Sequence, residues 1–502
     1  MISENSGFSF HRVLMVGDVG GDSSFHVGDE AMLECNLLLL RRLLPAAIIT
    51  LVSNEPLAVQ RRYDCPSVMM PRLTDVSTDR EAEMQLIDAW MNSLKHDPDT
   101  LPEALHALLT ADLLVISGGG NLCSSWPGLI LERLALVRMA RARNIPVLIF
   151  GQTIGPVLLD HDRPLVTEIL CSADSVGLRE ANSVALTLSL GVPLSRIVYQ
   201  FDDAMLLPPV PCPLLWPDFR AGPLLALTLH PVFAIATTEI WLDHLASELD
   251  QVIQETSAHV LFIPHLRMIQ DGCDLGDLSV GKALASRLKN PQAMTVLDVR
   301  SSAETLWLTQ QADVVVSTRY HPLVFGLAKQ IPCLGLATDH YTLVKLHGAL
   351  SHANCEADLL PMCGQRWDGL AERIMQLCQR PRVSAEQART WHAELEKAAR
   401  AREERLKVLL AREANSLSLL PVQLSELTEL VRDLAKVALC PSLFSLSAAR
   451  EYELQRSIAH WQATARAAEL YALDLKLNLQ AKESELLALH IALREKFEDL
   501  KA

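Results

Sequence analysis

The chain lacks several features that would decide its class at once. Nowhere in its 502 residues is there a run of 18 uncharged apolar residues, so no transmembrane helix is expected. The 11 cysteines are odd in number and include no CxxC pair, so neither a disulfide framework nor a zinc site is indicated. Positive charge is in deficit: 45 Lys and Arg against 60 Asp and Glu leave a net charge of −15. That sign argues against a general nucleic-acid binder, while leaving room for local pockets that take small anions. The first residues, MISENSGFSFHRVLMVGD, have neither the basic nor the apolar region of a signal peptide, which makes the cytoplasm the expected location. What is present is a half-apolar chain, 21% charged, long enough for two or three domains with cores of their own.

Short apolar runs alternate with helical patterns. Strands are expected at Arg12–Gly17, Ile48–Val52, Asp112–Ser117, Pro146–Phe150 and Ser175–Leu178, with helices near Glu30–Leu43 and Leu129–Arg143. The proline cluster Pro208–Pro217 resists both helix and sheet and reads as a linker. Beyond it the rhythm restarts: strands Leu224–Leu229, Ala258–Ile263 and Thr295–Asp298, helices near Glu239–Glu255, Ser279–Leu288 and Gly364–Leu377. The expected fold class is therefore α/β, with two Rossmann-like domains (1–207 and 223–382) either side of a 208–222 linker. From about Ala385 the composition turns to Ala, Leu, Glu and Arg, giving an all-α extension over 383–502. Within it Ile458, Trp461, Ala465, Ala468, Ala472, Leu475, Leu479, Leu486, Leu489 and Leu493 follow three- and four-residue steps, so about 451–501 reads as a coiled coil or a long packed helix. A helix folded back on its own domains is the plainer reading; a coiled coil would serve self-association or partner binding.

The most informative stretch is Ala312–Lys345. It predicts a buried strand (Asp313–Ser317), a polar turn (Thr318–Pro322), a helix (Leu323–Lys329) and a second strand (Pro332–Ala337). Arg319 and His321 stand where strand passes to helix, the edge at which open parallel sheets bind ligands. A permanent cation beside a titratable imidazole suits an anionic substrate handled by an acid or base.

Other candidates lie at further strand ends. Gly28 and Asp29 close a glycine-rich loop, Gly17–Met32, whose Asp18, Asp22 and Asp29 would repel a nearby phosphate; Asp29 is equally suited to cap the following helix. Gly118, Gly119, Gly120 and Asn121, together with Gln152, Thr153 and Gly155 in the predicted turn Gly151–Pro156, form two consecutive glycine turns. These can present backbone N–H groups to a ligand or simply allow tight strand–helix packing. Arg179 follows a short strand and can bind a ligand or make a salt bridge, and Asp203 can orient a hydroxyl or cap a turn. His230 and His265 end strands as His321 does; three histidines could hold a metal, but no HxH or HxxxH spacing supports one, and none is assigned. Lys345 is placed to reach the same cleft as a point charge for phosphate.

Taken in order, GDEAM (Gly28–Met32), ISGGGNL (Ile116–Leu122), FGQTIGP (Phe150–Pro156), LRE..S (Leu178–Ser183), FDDA (Phe201–Ala204), IPH.....D (Ile263–Asp271) and STRYHPLVFGLAKQIPCLGL (Ser317–Leu336) with Lys345 resemble the polysaccharide pyruvyl transferase family over about residues 11–350. The resemblance implies the two-half arrangement of GT-B glycosyltransferases, phosphoenolpyruvate as donor, and a sugar or lipid-linked sugar with two nearby hydroxyls as acceptor. The product would be a cyclic pyruvate ketal on a cell-envelope or capsular glycan, made without a cofactor, in the cytoplasm or at the inner face of the membrane. By position, Arg319 and Arg179 would hold the donor's phosphate and carboxylate and His321 would transfer the proton, with His265 or His230 assisting. His26 stands where the family commonly has asparagine. A GT-B glycosyltransferase using a nucleotide sugar, and a scaffold acting through the tail, are the other readings.

Overall fold

The computed structural model describes residues 10–71, 73, 80–212, 221–230, 238–270, 272–362, 366–380 and 383–411. All of them fall in one compact unit, Met1–Leu434. In chain order come β1 (Arg12–Val16), β2 (Ser24–His26), α1 (Val27–Leu43), β3 (Ile48–Ser53), α2 (Pro56–Tyr63), β4 (Ser67–Met69), α3 (Arg80–His96) and α4 (Glu103–Ala107). The first half continues with β5 (Leu113–Ile116), β6 (Gly119–Leu122), α5 (Pro127–Ala142), β7 (Val147–Ile154), α6 (Arg163–Ser172), β8 (Ser175–Leu178), α7 (Ala181–Ser189) and β9 (Ile197–Tyr199). The second half holds β10 (Leu224–Thr228), α8 (Thr238–Thr256), β11 (His259–Phe262), β12 (Leu266–Gln270), β13 (Cys273–Asp274), α9 (Asp277–Ala285) and β14 (Met294–Val296). It closes with α10 (Ser302–Thr309), β15 (Val314–Ser317), α11 (Tyr320–Ala328), β16 (Cys333–Ala337), α12 (His340–Ser351), β17 (Leu359–Pro361) and α13 (Leu370–Cys378). A last helix, α14, spans Ala385–Leu410.

The first half is a parallel sheet in the order β4-β3-β1-β5-β7-β8-β9, with β6 beside β7, and the second a parallel sheet ordered β14-β11-β10-β15-β16-β17. Strands such as Leu113–Ile116 and Val314–Ser317 are buried along their whole length, as uninterrupted apolar runs require when helices cover both faces. The two Rossmann-like halves of the expected α/β class are thus present. A third, antiparallel ribbon joins them, because β2 of the first half pairs with β12 of the second, Phe25 opposite Arg267 and His26 opposite Leu266.

Several local expectations change. Helix α1 starts at Val27 rather than near Glu30, and its N-cap is His26, not Asp29. The cause is tertiary: the Val27 N–H donates to the His265 carbonyl at 3.0 Å, which extends the β2–β12 ladder to the helix start. The predicted turn after Phe150 is instead the continuation of β7 through Gly151, Gln152 and Thr153, and Gly119–Leu122 is a strand lying along it. Helix α11 begins at Tyr320, so the polar turn is shorter than predicted; Pro322 is accommodated because an N–H in the first helical turn needs no partner. Helices α10 and α12 arise where no element was predicted.

Helix α14 lies against both halves. Its Leu395 joins the core built around α11, while Leu406 and Leu410 join the core around β1 and α1. The Trp391 Nε1 donates to the Leu327 carbonyl at 3.0 Å, and Arg42 pairs with Glu403 at 3.0 Å. The heptad-like pattern of 451–501 and residues 213–220 of the linker lie outside the described residues. Among the described residues no helix is long and apolar enough to cross a membrane.

Candidate active site

The site residues gather where α11 of the second half meets α1 and the strand ends of the first. His321 sits in the first turn of α11, and its ring lies so close to the start of α1 that a Cβ at position 28 would overlap it. Gly28 is therefore needed for backbone approach, at a helix start where N–H groups are open to anions. The Nε2 of His321 is 3.7 Å from Asp202 Oδ2, beyond hydrogen-bond reach, and is buried without a partner. Burial, reinforced by the positive charges of Arg179 and Lys345, holds this imidazole well below its ordinary pKa, so it is neutral at pH 7. His265 is in the same condition: both ring nitrogens are buried without hydrogen-bond partners, and burial and then Arg319 depress its pKa.

The cations are held unequally. Arg319, N-cap of α11, grips Asp277 with both ends of its fork, Nε at 2.8 Å and NH2 at 2.6 Å. Asp277 Oδ2 also accepts the N–H groups of His265 and Leu266, so the pair fixes the start of α9 against the histidine loop. Arg179 is fully buried. Its Nε donates to Thr153 Oγ1 at 3.0 Å and lies 3.1 Å from Glu180, NH1 donates to Asp202 at 2.7 Å, and the guanidinium rests 4.3 Å from the Tyr320 ring centroid. Lys345 is different: its Nζ bonds the Tyr341 hydroxyl at 3.0 Å and has no carboxylate partner among the described residues. Nζ and that hydroxyl both stand against Gly120, where a Cβ would come within 3.0 Å of each.

The remaining candidates divide into those facing the seam where α11 meets α1 and those beneath it. Asp29 faces it; burial and Asp18 raise its pKa against the opposing pull of His26, Arg179 and Lys345. Asp18, His26 and Asp29 each bring one potential ligand atom within 4.8 Å of the others, so this set, rather than the three strand-end histidines, has the spacing to ligate a cation. The backbone of His230 donates to Thr318 Oγ1, which ties the end of β10 to the turn before Arg319. Beneath the seam, Gln152 Nε2 donates to the Ser117 carbonyl and Thr153 donates to Glu180. Gly118 and Gly151 admit Met32 and Asp203, Gly155 has φ +67°, and the Nδ2 of Asn121 is buried without a partner. Tight packing is thus the evident use of most of these glycines.

Asp203 accepts from Asn36 at 2.9 Å, Gln200 at 2.6 Å and Arg402 of α14 at 2.6 Å. It does not cap the turn that follows; Asp202 does, accepting the Ala204 N–H at 2.8 Å. Burial pushes the Asp202 carboxyl up to about 6, despite Arg179 beside it. Sequence reasoning passed over Asp202, Asp277, Tyr320 and Arg402. The first and third sit inside the quoted FDDA and RYH strings and were within reach; Asp277 and Arg402 carry no local signal.

These features define a two-domain α/β protein whose halves meet over a neutral imidazole, three cations and several buried carboxylates. A model of the polysaccharide pyruvyl transferase family matches residues 26–340, more than half of the chain, and the chain belongs to that family. No curated protein matches it. Solved structures similar to it include a putative UDP-N-acetylglucosamine 2-epimerase from Listeria monocytogenes (11% identity, 78% of this chain and 91% of that chain, TM-score 0.49). The UDP-GlcNAc 2-epimerase of Neisseria meningitidis (12% identity, 79% and 99% covered, TM-score 0.47) and MurG of Acinetobacter baumannii (12% identity, 80% and 99%, TM-score 0.43) are similar to the same extent.

Proposed function

We propose that this pyruvyl transferase moves the pyruvyl group of phosphoenolpyruvate onto two hydroxyls of one sugar, forming a cyclic ketal on a cell-envelope or capsular glycan, at the cytoplasmic side of the membrane. The observation that carries the reading is His321, a buried, neutral imidazole whose Nε2 has no hydrogen-bond partner among the described residues, beside Lys345 and the Arg319 and Arg179 pairs. A trianionic donor needs several cations, each charge-assisted contact contributing about 1.5–3 kcal/mol. As the donor docks, its negative charge offsets the field of Arg179 and Lys345, raises the His321 pKa and lets the ring take up a proton. The ring delivers that proton to the donor's methylene carbon, leaving an oxocarbenium-like centre at the carbon that bears phosphate. One sugar hydroxyl bonds to that carbon and loses its proton to the now neutral His321. The C–O bond to phosphate then breaks, and the second hydroxyl closes the ring as its proton goes to the departing phosphate. His265 is near enough to influence His321 and is the second candidate for the proton transfers. No step requires a metal or organic cofactor.

The test is phosphate release from phosphoenolpyruvate in the presence of candidate glycans, with mass analysis of the acceptor. Acceptor-dependent release with a ketal adduct is expected. A protein that binds a nucleoside diphosphate but neither binds nor consumes phosphoenolpyruvate would instead be a nucleotide-sugar transferase.

A further inference from the structure

We propose that a cavity on the opposite face of α1 from His321 is a second binding site, one that takes a small ligand carrying phosphate. The cavity measures about 490 Å³, a size suited to a phosphorylated sugar rather than to an isolated ion. Four arginines from four different segments line it: Arg41 on α1, Arg62 on α2, Arg267 on β12 and Arg300 after β14. On α1 the seam is served by Gly28, Asp29, Met32 and Asn36, whereas Glu34, Leu37, Leu38 and Arg41 serve the cavity. At 3.6 residues per turn these two sets fall on opposite sides of the helix. The second site therefore stands independently of the pyruvyl-transfer reading.

The charges in this cavity are poorly compensated. Arg62 is satisfied, lying 3.5 Å from Asp22 and 3.7 Å from Glu30 and bonding the Gly20 and Gly21 carbonyls. Arg41 bonds the Tyr63 and Asp64 carbonyls at 2.8 and 3.3 Å and Cys65 Sγ at 3.1 Å, and among the described residues Arg267 reaches only the Val299 carbonyl at 3.4 Å. The Nε of Arg300 is buried with no hydrogen-bond partner among the described residues. Among the described residues none of Arg41, Arg267 and Arg300 pairs with a carboxylate. Glu34 is the one carboxyl in the lining, and burial raises its pKa to about 7, so near neutrality it offsets only part of one charge. A concentration of positive charge in a chain of net charge −15 is unfavourable while empty and favourable once an anion enters. Planar guanidinium forks arriving from several directions match the oxygens of a phosphate group. Phe25, Tyr63 and Leu37 supply apolar surface for the ligand's body.

A free sugar phosphate and the phosphate of a lipid-linked sugar share this chemistry. The full chain is titrated calorimetrically with glucose 1-phosphate, and its flotation is followed with vesicles containing a polyprenyl phosphate. Both are repeated with an R267Q/R300Q double variant, in which no described carboxylate loses a partner, and with Lys345→Gln at the seam. Binding of one or both probes, weakened about tenfold or more by the double variant and little by Lys345→Gln, is expected. Solution binding alone assigns a free ligand, and vesicle binding alone a lipid-linked one. Unchanged binding in the double variant, loss confined to Lys345→Gln, or binding of neither probe overturns the proposal.

Discussion

On the first-half side of the seam, Arg179 lies among Thr153, Glu180, Asp202 and the Tyr320 ring, while Asn36, Gln200 and Arg402 answer the neighbouring Asp203. On the second-half side, among the described residues, His321 and His265 hold buried nitrogens with no hydrogen-bond partner and Lys345 pairs with no carboxylate. The network around Arg179 and Asp203 is saturated, whereas the two imidazoles and Lys345 are open. A saturated face fixes shape and field, since a buried ion network withdrawn from water tolerates little change. An open face has bonding capacity left for a ligand. The groups proposed for proton transfer and Lys345 lie in the second half, and the Arg179 charge of the first half adds to burial in keeping the imidazole neutral.

Substitutions on the two faces should accordingly fail in different ways. The largest effect expected is from His321→Gln, which should lower acceptor-dependent phosphate release by about 10²–10⁴-fold while leaving the urea midpoint near that of the parent. Full activity in this variant would erase the distinction between the faces. Arg179→Gln removes the counter-charge of two buried carboxylates, Glu180 and Asp202, and should cost about 3–5 kcal/mol of stability by urea denaturation. Arg319→Gln should cost less, about 1–3 kcal/mol, because Asp277 keeps its two backbone donors. Equal losses would mean that Arg319 is as structural as Arg179. Lys345→Gln should weaken phosphoenolpyruvate binding about tenfold to a hundredfold by calorimetry with no change in melting temperature.

The smallest effect is a proton. The folded pKa of His321 lies below its ordinary value, so the ring is neutral at pH 7, and an arriving anion raises that pKa. Donor binding at pH 7 should therefore take up protons, seen as a binding enthalpy that depends on the buffer's ionisation enthalpy, and less so at pH 8. Asp202, at about 6, can contribute a minor share. Uptake that persists undiminished in His321→Gln would move the proton to another group.

How much of this was legible in the sequence follows from how local each interaction is. The strands of both sheets showed as apolar runs, because burial on two faces writes itself into consecutive residues. Arg319 and His321 were legible for the same reason, since a strand end is visible wherever the run stops. The start of α1 was misjudged because it depends on His265, far along the chain, and the glycines of β6 and β7 suggested turns because their packing partners, Met32 and Asp203, come from elsewhere. Arg402 and Asp203 are 199 positions apart, and Arg319 and Asp277 are 42. No periodicity records such a pairing.

The β2–β12 ribbon and helix α14 each attach one half to the other. Core packing joins the halves as well: Phe25, Val27, Ala31 and Met32 of the first half share one buried cluster with Val315, Leu323, Val324 and Phe325 of the second, so separating the halves would expose apolar surface along the whole joint. Trp391 and Leu395 form one end of the α14 fastening, with Arg402, Leu406 and Leu410 the other. His321 and Gly28 meet within the joint between the halves, so their separation is set by how the two halves pack together and not by either half alone.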